Sequence, residues 1–510
     1  MKKYYKHYTG MTKDEVFKGL LKEGLFTEQL PPVFQSYDFY NFVIKKPNVS
    51  FRNKKTIPVT FMSMRNINIP RSLSIPNPFS HFYLCDGIRN YWQEISQHME
   101  NNTKTNKYKI SRIHIRKLKD TDAIFKMNYK NFKYDGNGET DLLIGKRVLV
   151  YADISTFFPS IYTHSIPWAF VGKEVAKSTA NKGTYYNVLD KLTRQTKENE
   201  THGILIGPHT SNIISEIILT KIDYELSTKG YEFIRHIDDY KCFTKNKDEA
   251  ELFLIDLEKL LREYGLMLNH KKTRVLDLPA SIQDEWTKEI KLLEFHISTD
   301  KLKYKNIEGY FDQLISLAKK NDNNMAILNY GLKVLYNKRH IVDLTRPAKK
   351  LLTNLYVHTT IIYPYLIRYI DKYLIDFLEL SEDEIKPLIQ SIIDSTKDKA
   401  NYEVITYCLF LSLKYNFTIS LSEDLFEYAK NSGDTVLLLI SYLYCKKNRI
   451  DCSDCSDFYD YAKLISTNDP TNFDKHWLYV YEVLMLKDLK EESWRNLKNN
   501  NISFVIRDFR

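Results

Sequence analysis

The stretch Phe233-Ile-Arg-His-Ile-Asp238-Asp239-Tyr-Lys-Cys-Phe243 limits the folds open to this chain more than any other. Apolar residues flank an Asp-Asp pair on both sides, which reads as strand, tight turn, strand, with both acids at the turn. Adjacent carboxylates repel, and a fold that holds two together commonly supplies a cation. A solvated Asp-Asp turn has the same local pattern, so the choice between the two rests on the sequence upstream.

Upstream, Val148-Leu-Val-Tyr-Ala152 is a short buried strand, and Asp153 follows where the apolar run stops. Phe157 and Phe158 come next, and Pro159-Ser160 turns into a helix. Gly203-Ile-Leu-Ile-Gly207-Pro208-His-Thr-Ser211-Asn212 is a glycine loop leading into the apolar helical run Ile213 to Leu219. After the Asp-Asp hairpin come a helix, Glu249 to Glu263, and the segment Gly265-Leu-Met-Leu268-Asn269-His270-Lys271-Lys272-Thr273. The order is Asp strand, glycine loop with helix, Asp-Asp hairpin, helix, Asn/Lys strand.

This order resembles the palm of reverse transcriptases, with their motifs A to D spread over roughly Arg147 to Leu278. Tyr162-Thr-His164-Ser-Ile-Pro167-Trp168, Thr201-His202-Gly203, Leu30-Pro-Pro32-x-Phe34 and Arg71 to Pro78 are similar to segments of the bacterial abortive-infection reverse transcriptases. The resemblance implies an α+β chain. Reverse-transcriptase fingers and palm of the right-hand polymerase type would fill residues 1–300, and an all-α helical-repeat domain would fill 301–510 in place of a thumb. It further implies a phage-defence DNA polymerase that uses dNTPs without a template, starts from a protein hydroxyl, stays covalently attached to its single-stranded DNA product and forms homo-oligomers. The alternatives are an ordinary templated, RNA-directed DNA polymerase and a helical scaffold or sensor with a vestigial palm.

Nucleotidyl transfer needs a hydroxyl to attack the α-phosphate in line, commonly beside two Mg²⁺ ions. Asp153 and Asp238 suffice as the bridging carboxylates, Asp239 supports the second ion or the turn, and Mn²⁺ is the alternative metal. Lys272 matches the motif D lysine, a proton donor to pyrophosphate, with Lys271 as the fallback. Phe158 matches the position of a ring that excludes a 2′-OH, whereas Phe157 reads as core. Gly207 lets the backbone approach the nucleotide, and Ile206 stands where the family commonly has Gln. Ser211 either caps the helix after the loop or touches substrate. His236 replaces the usual Tyr ahead of the Asp pair. Ile110-Ser-Arg112-Ile-His-Ile-Arg116 alternates apolar and polar residues, so Arg112 and Arg116 share one face of an expected strand, as a triphosphate clamp or a generic basic face. Relatives prime from tyrosine, the side-chain hydroxyl with the lowest pKa. Tyr37, Tyr40 and Tyr8 are the favoured positions here, on a segment expected to be mobile.

Composition is compatible with this reading. The 510 residues carry 74 Lys+Arg against 64 Asp+Glu, a net +10 that permits a polyanionic partner without demanding one. Glycine (16) and proline (15) are scarce, which favours long regular elements. From about residue 310 a 3.6-residue period dominates, and Ser381-Glu-Asp-Glu384 is a capping box. Of six cysteines only Cys452 and Cys455 have ligand-like spacing, and no second pair matches them as a zinc site. The amino-terminal stretch lacks the apolar core of a signal peptide, and Val436 to Cys445 is too short to span a bilayer. The expectation is a soluble cytoplasmic protein with no membrane partner.

Overall fold

The computed structural model describes residues 10–51, 55–65, 69–112, 115, 118, 121–125, 138–178, 183–279, 286–290, 301–399, 401–421, 424–448, 452–468 and 470–510. Helix α1 (Lys13–Glu23) opens with a reciprocal cap. The Thr12 hydroxyl accepts from the Glu15 N–H, and the Glu15 carboxylate accepts from the Thr12 N–H. Helix α2 (Tyr37–Lys45) packs beside it. An antiparallel ribbon follows, β1 (Val59–Met64) with β2 (Pro70–Ile75), in the register Ser63↔Arg71 and Met64↔Pro70. Asn77 caps α3 (Pro78–Asn90), where proline fills the first turn, and α4 (Trp92–Thr103) continues from it.

The palm strand β3 (Val148–Asp153) is a continuous apolar run because both its faces are covered. Helices α5 (Tyr185–Gln195) and α6 (His209–Thr228) separate it from the hairpin of β4 (Glu232–His236) and β5 (Asp239–Thr244). Helix α7 (Lys247–Glu263) and β6 (Arg274–Asp277) complete the unit, whose antiparallel order is β4-β5-β3-β6. Helix α6 is buried along most of its length, in keeping with its place between α4, α7 and the short helix Ser165–Val171. The amphipathic α7 covers one face of β3 and β5, and its Asn246 cap accepts from the Glu249 N–H at 2.8 Å.

From residue 301 onward the described elements are helical: α8 (Tyr304–Lys320), α9 (Ala326–Asn337), α10 (Arg346–Ile362), α11 (Glu382–Thr396), α12 (Tyr402–Tyr415), α13 (Leu425–Ser432), α14 (Thr435–Asn448), α15 (Cys452–Asn468), α16 (Trp477–Val483) and α17 (Glu492–Asn499). Helix α8 packs on both α9 and α10, α10 on α11, and α11 on α12. Gly331 lets α9 sit tightly on α8, since a Cβ there would lie 2.2 Å from Leu314 Cδ1. The expected box at Ser381 is present, with Glu384 accepting from the Ser381 N–H at 2.9 Å.

The helical half meets β1 through α12, α14, the tight helical turns Pro364–Tyr369 and the short helix Pro470–Lys475, and it meets the amino-terminal segment through residues 503–510. Phe34 pairs antiparallel with Val505, the Gln35 N–H donates to Phe504 O at 2.8 Å, and Arg510 bonds Asp38 at 2.8 Å. Trp494 lies 4.3 Å from the Phe79 ring and within 5.8 Å of Trp477, so one aromatic cluster spans both halves. Of the expected strand over Ile110–Arg116, the described residues show one parallel bridge, Ser111↔Arg235, in which the Arg112 N–H donates to Arg235 O and Ile110 O accepts from the Arg235 N–H. Residues 113, 114, 116, 126–137 and 291–300 lie outside the described residues. No helix among the described residues is long and apolar enough to cross a membrane.

Candidate active site

Strand pairing brings the acids together. Asp153, the last residue of β3, stands directly opposite Asp239, the first of β5, and His236 faces Asp239 across the hairpin. The expected hairpin is present, but its two-residue turn is Ile237-Asp238, so only one of the two acids expected at the turn lies in it and Asp239 opens β5. Ile237 has φ +57°, a left-handed conformation that costs a β-branched residue about 1–3 kcal/mol. Two bonds hold the turn there: Arg235 Nη1 donates to Ile237 O at 2.9 Å, and the Ile154 N–H donates to Asp238 O at 3.2 Å.

Arg235 is fully buried and is itself held by two acids of α6, Glu216 at 2.8 Å and Asp223 at 2.6 Å. Sequence reasoning missed this triad. Its signal was an arginine inside an apolar strand, with Glu216 and Asp223 seven residues apart on an otherwise apolar helix.

Asp153 is engaged from the segment after α7. Asn269 Nδ2 donates to one carboxylate oxygen at 2.9 Å and Lys272 Nζ to the other at 3.2 Å, while the Asn269 N–H donates to Asp153 O at 2.7 Å. Lys272 is thus at the acids, with most of its side chain in solvent. Asp238 has its carboxyl pushed up, first by burial and then by Asp153, against the pull of Lys272 and Arg71. Asp239 is pushed up to about 7, by crowding in the cleft and then by the charge of Asp238, although the residue keeps an open side to water. Three carboxylates brought together in this way form a donor set that suits a hard divalent cation. They do not close into a ready three-ligand cage, and no other such group exists among the described residues.

Arg71 is a second residue missed from sequence. It lies on β2, far from the acids in the chain, yet its charge acts on Asp238. The loop before α6 docks on the same strand: the Ser74 N–H donates to Ile206 O at 2.8 Å. Gly207 has φ +131°, and a Cβ there would lie 3.1 Å from Ser74 O. Phe157 is core, as expected, and Phe158 is half-buried beside it, 5.1 Å between ring centroids, with its carbonyl accepting from the Ile204 N–H. Tyr151, on the same face as Asp153, is flanked in register by Lys241 and Arg274, whose cationic ends lie 5.7 and 5.6 Å from its ring.

Other expected residues sit less centrally. Ser211 does not cap α6; Pro208 holds that position, with no side-chain cap, and Ser211 is buried in the first turn. Arg112 is buried against the outer edge of β4, 5 % exposed. Arg116 and Tyr8 lie outside the described residues. Tyr37 is 51 % exposed at the start of α2 with Lys22 Nζ 4.9 Å from its ring, and Tyr40 packs against the core, where burial pushes its phenol up. The segment carrying both is fastened by residues 503–510 rather than loose.

Residues 92–297 match the family described as reverse transcriptase (RNA-dependent DNA polymerase). Among solved structures, the chain is similar to apo telomerase from Candida tropicalis, at 10% identity over 76% of this chain and 77% of that one, with a TM-score of 0.33. It is also similar to telomerase from Candida albicans in complex with a TWJ fragment of telomeric RNA, at 10% identity over 76% of this chain and 73% of that one, with a TM-score of 0.32. None of the curated proteins matches. The chain therefore carries a reverse transcriptase domain of mixed α/β content, and Asp153, Asp238 and Asp239 lie inside it.

Proposed function

We propose that this protein is a DNA polymerase of abortive-infection phage defence that works without a template and primes from a protein hydroxyl. The observation that carries the polymerase reading is the pairing of Asp153 with Asp239 beside the Ile237-Asp238 turn, within the matched domain. The defence reading is supported by how the segments similar to that group sit together. Two of those segments meet, since Tyr162 bridges His202 and the Thr163 N–H donates to Thr201 O at 2.8 Å. The homo-oligomer, the helical-repeat character of residues 301–510 and the cytoplasmic location belong to the same proposal.

In this reading Asp153 and Asp238 hold Mg²⁺, which when bound lowers the pKa of the attacking hydroxyl and neutralises the leaving pyrophosphate. Lys272 leaves Asp153 and delivers a proton to the pyrophosphate. Arg71 brings positive charge to the triphosphate side of the cleft, and Phe158 closes the space beside the sugar. The segment holding Tyr37 and Tyr40 must come free for either to prime.

The test is incubation with labelled dNTPs and Mg²⁺, with and without added RNA, followed by denaturing electrophoresis before and after protease. The expected result is product without nucleic acid whose mobility changes only on proteolysis. The family description favours a second reading, RNA-templated synthesis. Product that requires RNA and separates on denaturation alone would establish that reading instead. Phe158→Ala is expected to raise ribonucleotide use relative to dNTP by roughly tenfold or more. An unchanged ratio in a folded, active variant would return Phe158 to the core.

A further inference from the structure

We infer that Arg368 and Glu403 are positioning residues for the incoming nucleotide, acting through the β1–β2 ribbon; this rests on the polymerase reading above. Glu403 lies in the first turn of α12 and Arg368 in the turn 364–369, with side chains 1% and 10% exposed. They bind each other at 2.6 Å, and both grip the end of β1. Arg368 donates to Ser63 Oγ at 2.7 Å and to Met64 O, while Glu403 accepts from the Met64 N–H at 2.7 Å.

The gripped residues lie opposite the ones that reach the site. Ser63 pairs with Arg71 and Met64 with Pro70. Arg71 acts on Asp238, and three residues further along β2 Ser74 holds the loop at Ile206–Gly207. A two-stranded ribbon is marginal by itself in water, so its placement comes from its attachments. At the end of β1 that faces Arg71 the hold on the helical half is this pair; α14 and residues 470–475 also reach β1, and β2 reaches the loop before α6 through Ser74. A forked guanidinium with a carboxylate fixes direction as well as distance, which a greasy contact would not. The pair thus fixes the end of β1 that Arg71 faces in register.

The experiment measures KM and kcat for one dNTP in the full-length protein, together with its melting temperature. Arg368→Lys keeps the charge and loses the fork; Glu403→Gln keeps the shape and loses the charge. Each is expected to raise KM by roughly tenfold, with a smaller change in kcat, since small misplacement of binding groups costs up to about 10²-fold. The decisive arm repeats Arg368→Lys in an Arg71→Gln background. There the added KM effect should disappear, because coupled residues are non-additive. Folded single variants with wild-type KM, or effects that simply multiply with Arg71→Gln, would overturn the inference while leaving the polymerase reading intact. An inert wild-type protein would overturn both.

Discussion

Asp238→Asn abolishes nucleotide incorporation while leaving the protein folded. The substitution keeps the shape of the turn and the Asp238 carbonyl that receives the Ile154 N–H. It removes one negative charge from a group of three. Losing a preorganised charge at a reacting phosphate commonly costs 10²–10³-fold in rate, about 3–4 kcal/mol, and a metal-bridging carboxylate belongs at or above the top of that range. Stability should move the other way or not at all. Burial and Asp153 both raise the Asp238 carboxyl, so the fold disfavours its charged form, and a neutral amide relieves that. Incorporation rate, far-ultraviolet circular dichroism and melting temperature check the three parts together. Residual activity within tenfold of wild type, with the same metal dependence, would remove Asp238 from the site.

Arg235→Met is expected to destabilise the fold by about 3–5 kcal/mol, the cost of leaving buried charges without their partner. Glu216 and Asp223 would face each other across the vacated space, with neither in contact with water. Denaturant unfolding measures the loss. A companion in which both acids also become apolar separates two roles of the arginine. Replacing a whole buried charge cluster is often neutral for stability, so the triple variant should recover most of it. It should not recover full activity, because the carbonyl of Ile237 still lacks its donor and the strained turn loses a restraint. A loss under 1 kcal/mol for Arg235→Met would show that the triad does not hold the turn.

The parts of the molecule that were legible in the sequence are those written in local patterns. Val148–Asp153 reads as a buried strand because it is apolar throughout, and the Asp238–Asp239 hairpin because apolar runs flank two acids. Lys272 stands out from the order of segments, not from any single one, while its contact with Asp153 comes from the fold. What stayed hidden depends on distant pairing. Arg71 looks like one basic residue among many until β2 brings its charge within range of Asp238. Arg112 and Arg116 look like a clamp from their alternation, yet Arg112 goes inward because its backbone completes the edge of β4. Ser211 has the composition of a cap, but Pro208 already marks the helix start three residues earlier. The contacts of residues 33–38 with 503–510 leave no periodic trace in either segment, so the sequence around Tyr37 and Tyr40 gives no sign of them.

That seam also governs the order in which the chain can be built. Gln35 and Ser503 are 468 residues apart in sequence and bonded in the fold. At synthesis rates of about 5–20 residues per second, the amino-terminal edge waits roughly half a minute to a minute and a half for its partner. During that interval Phe34 and Phe39 lack the cover of Val505 and Phe504. Contacts of such long sequence separation form slowly, because the loop-closure entropy falls due before the contact is gained. Phe79 likewise waits for Trp494, and Met64 for Arg368 and Glu403. A nascent chain can therefore complete its catalytic strands well before it can fasten the ribbon above them, and competence for synthesis arrives late in the life of each new molecule.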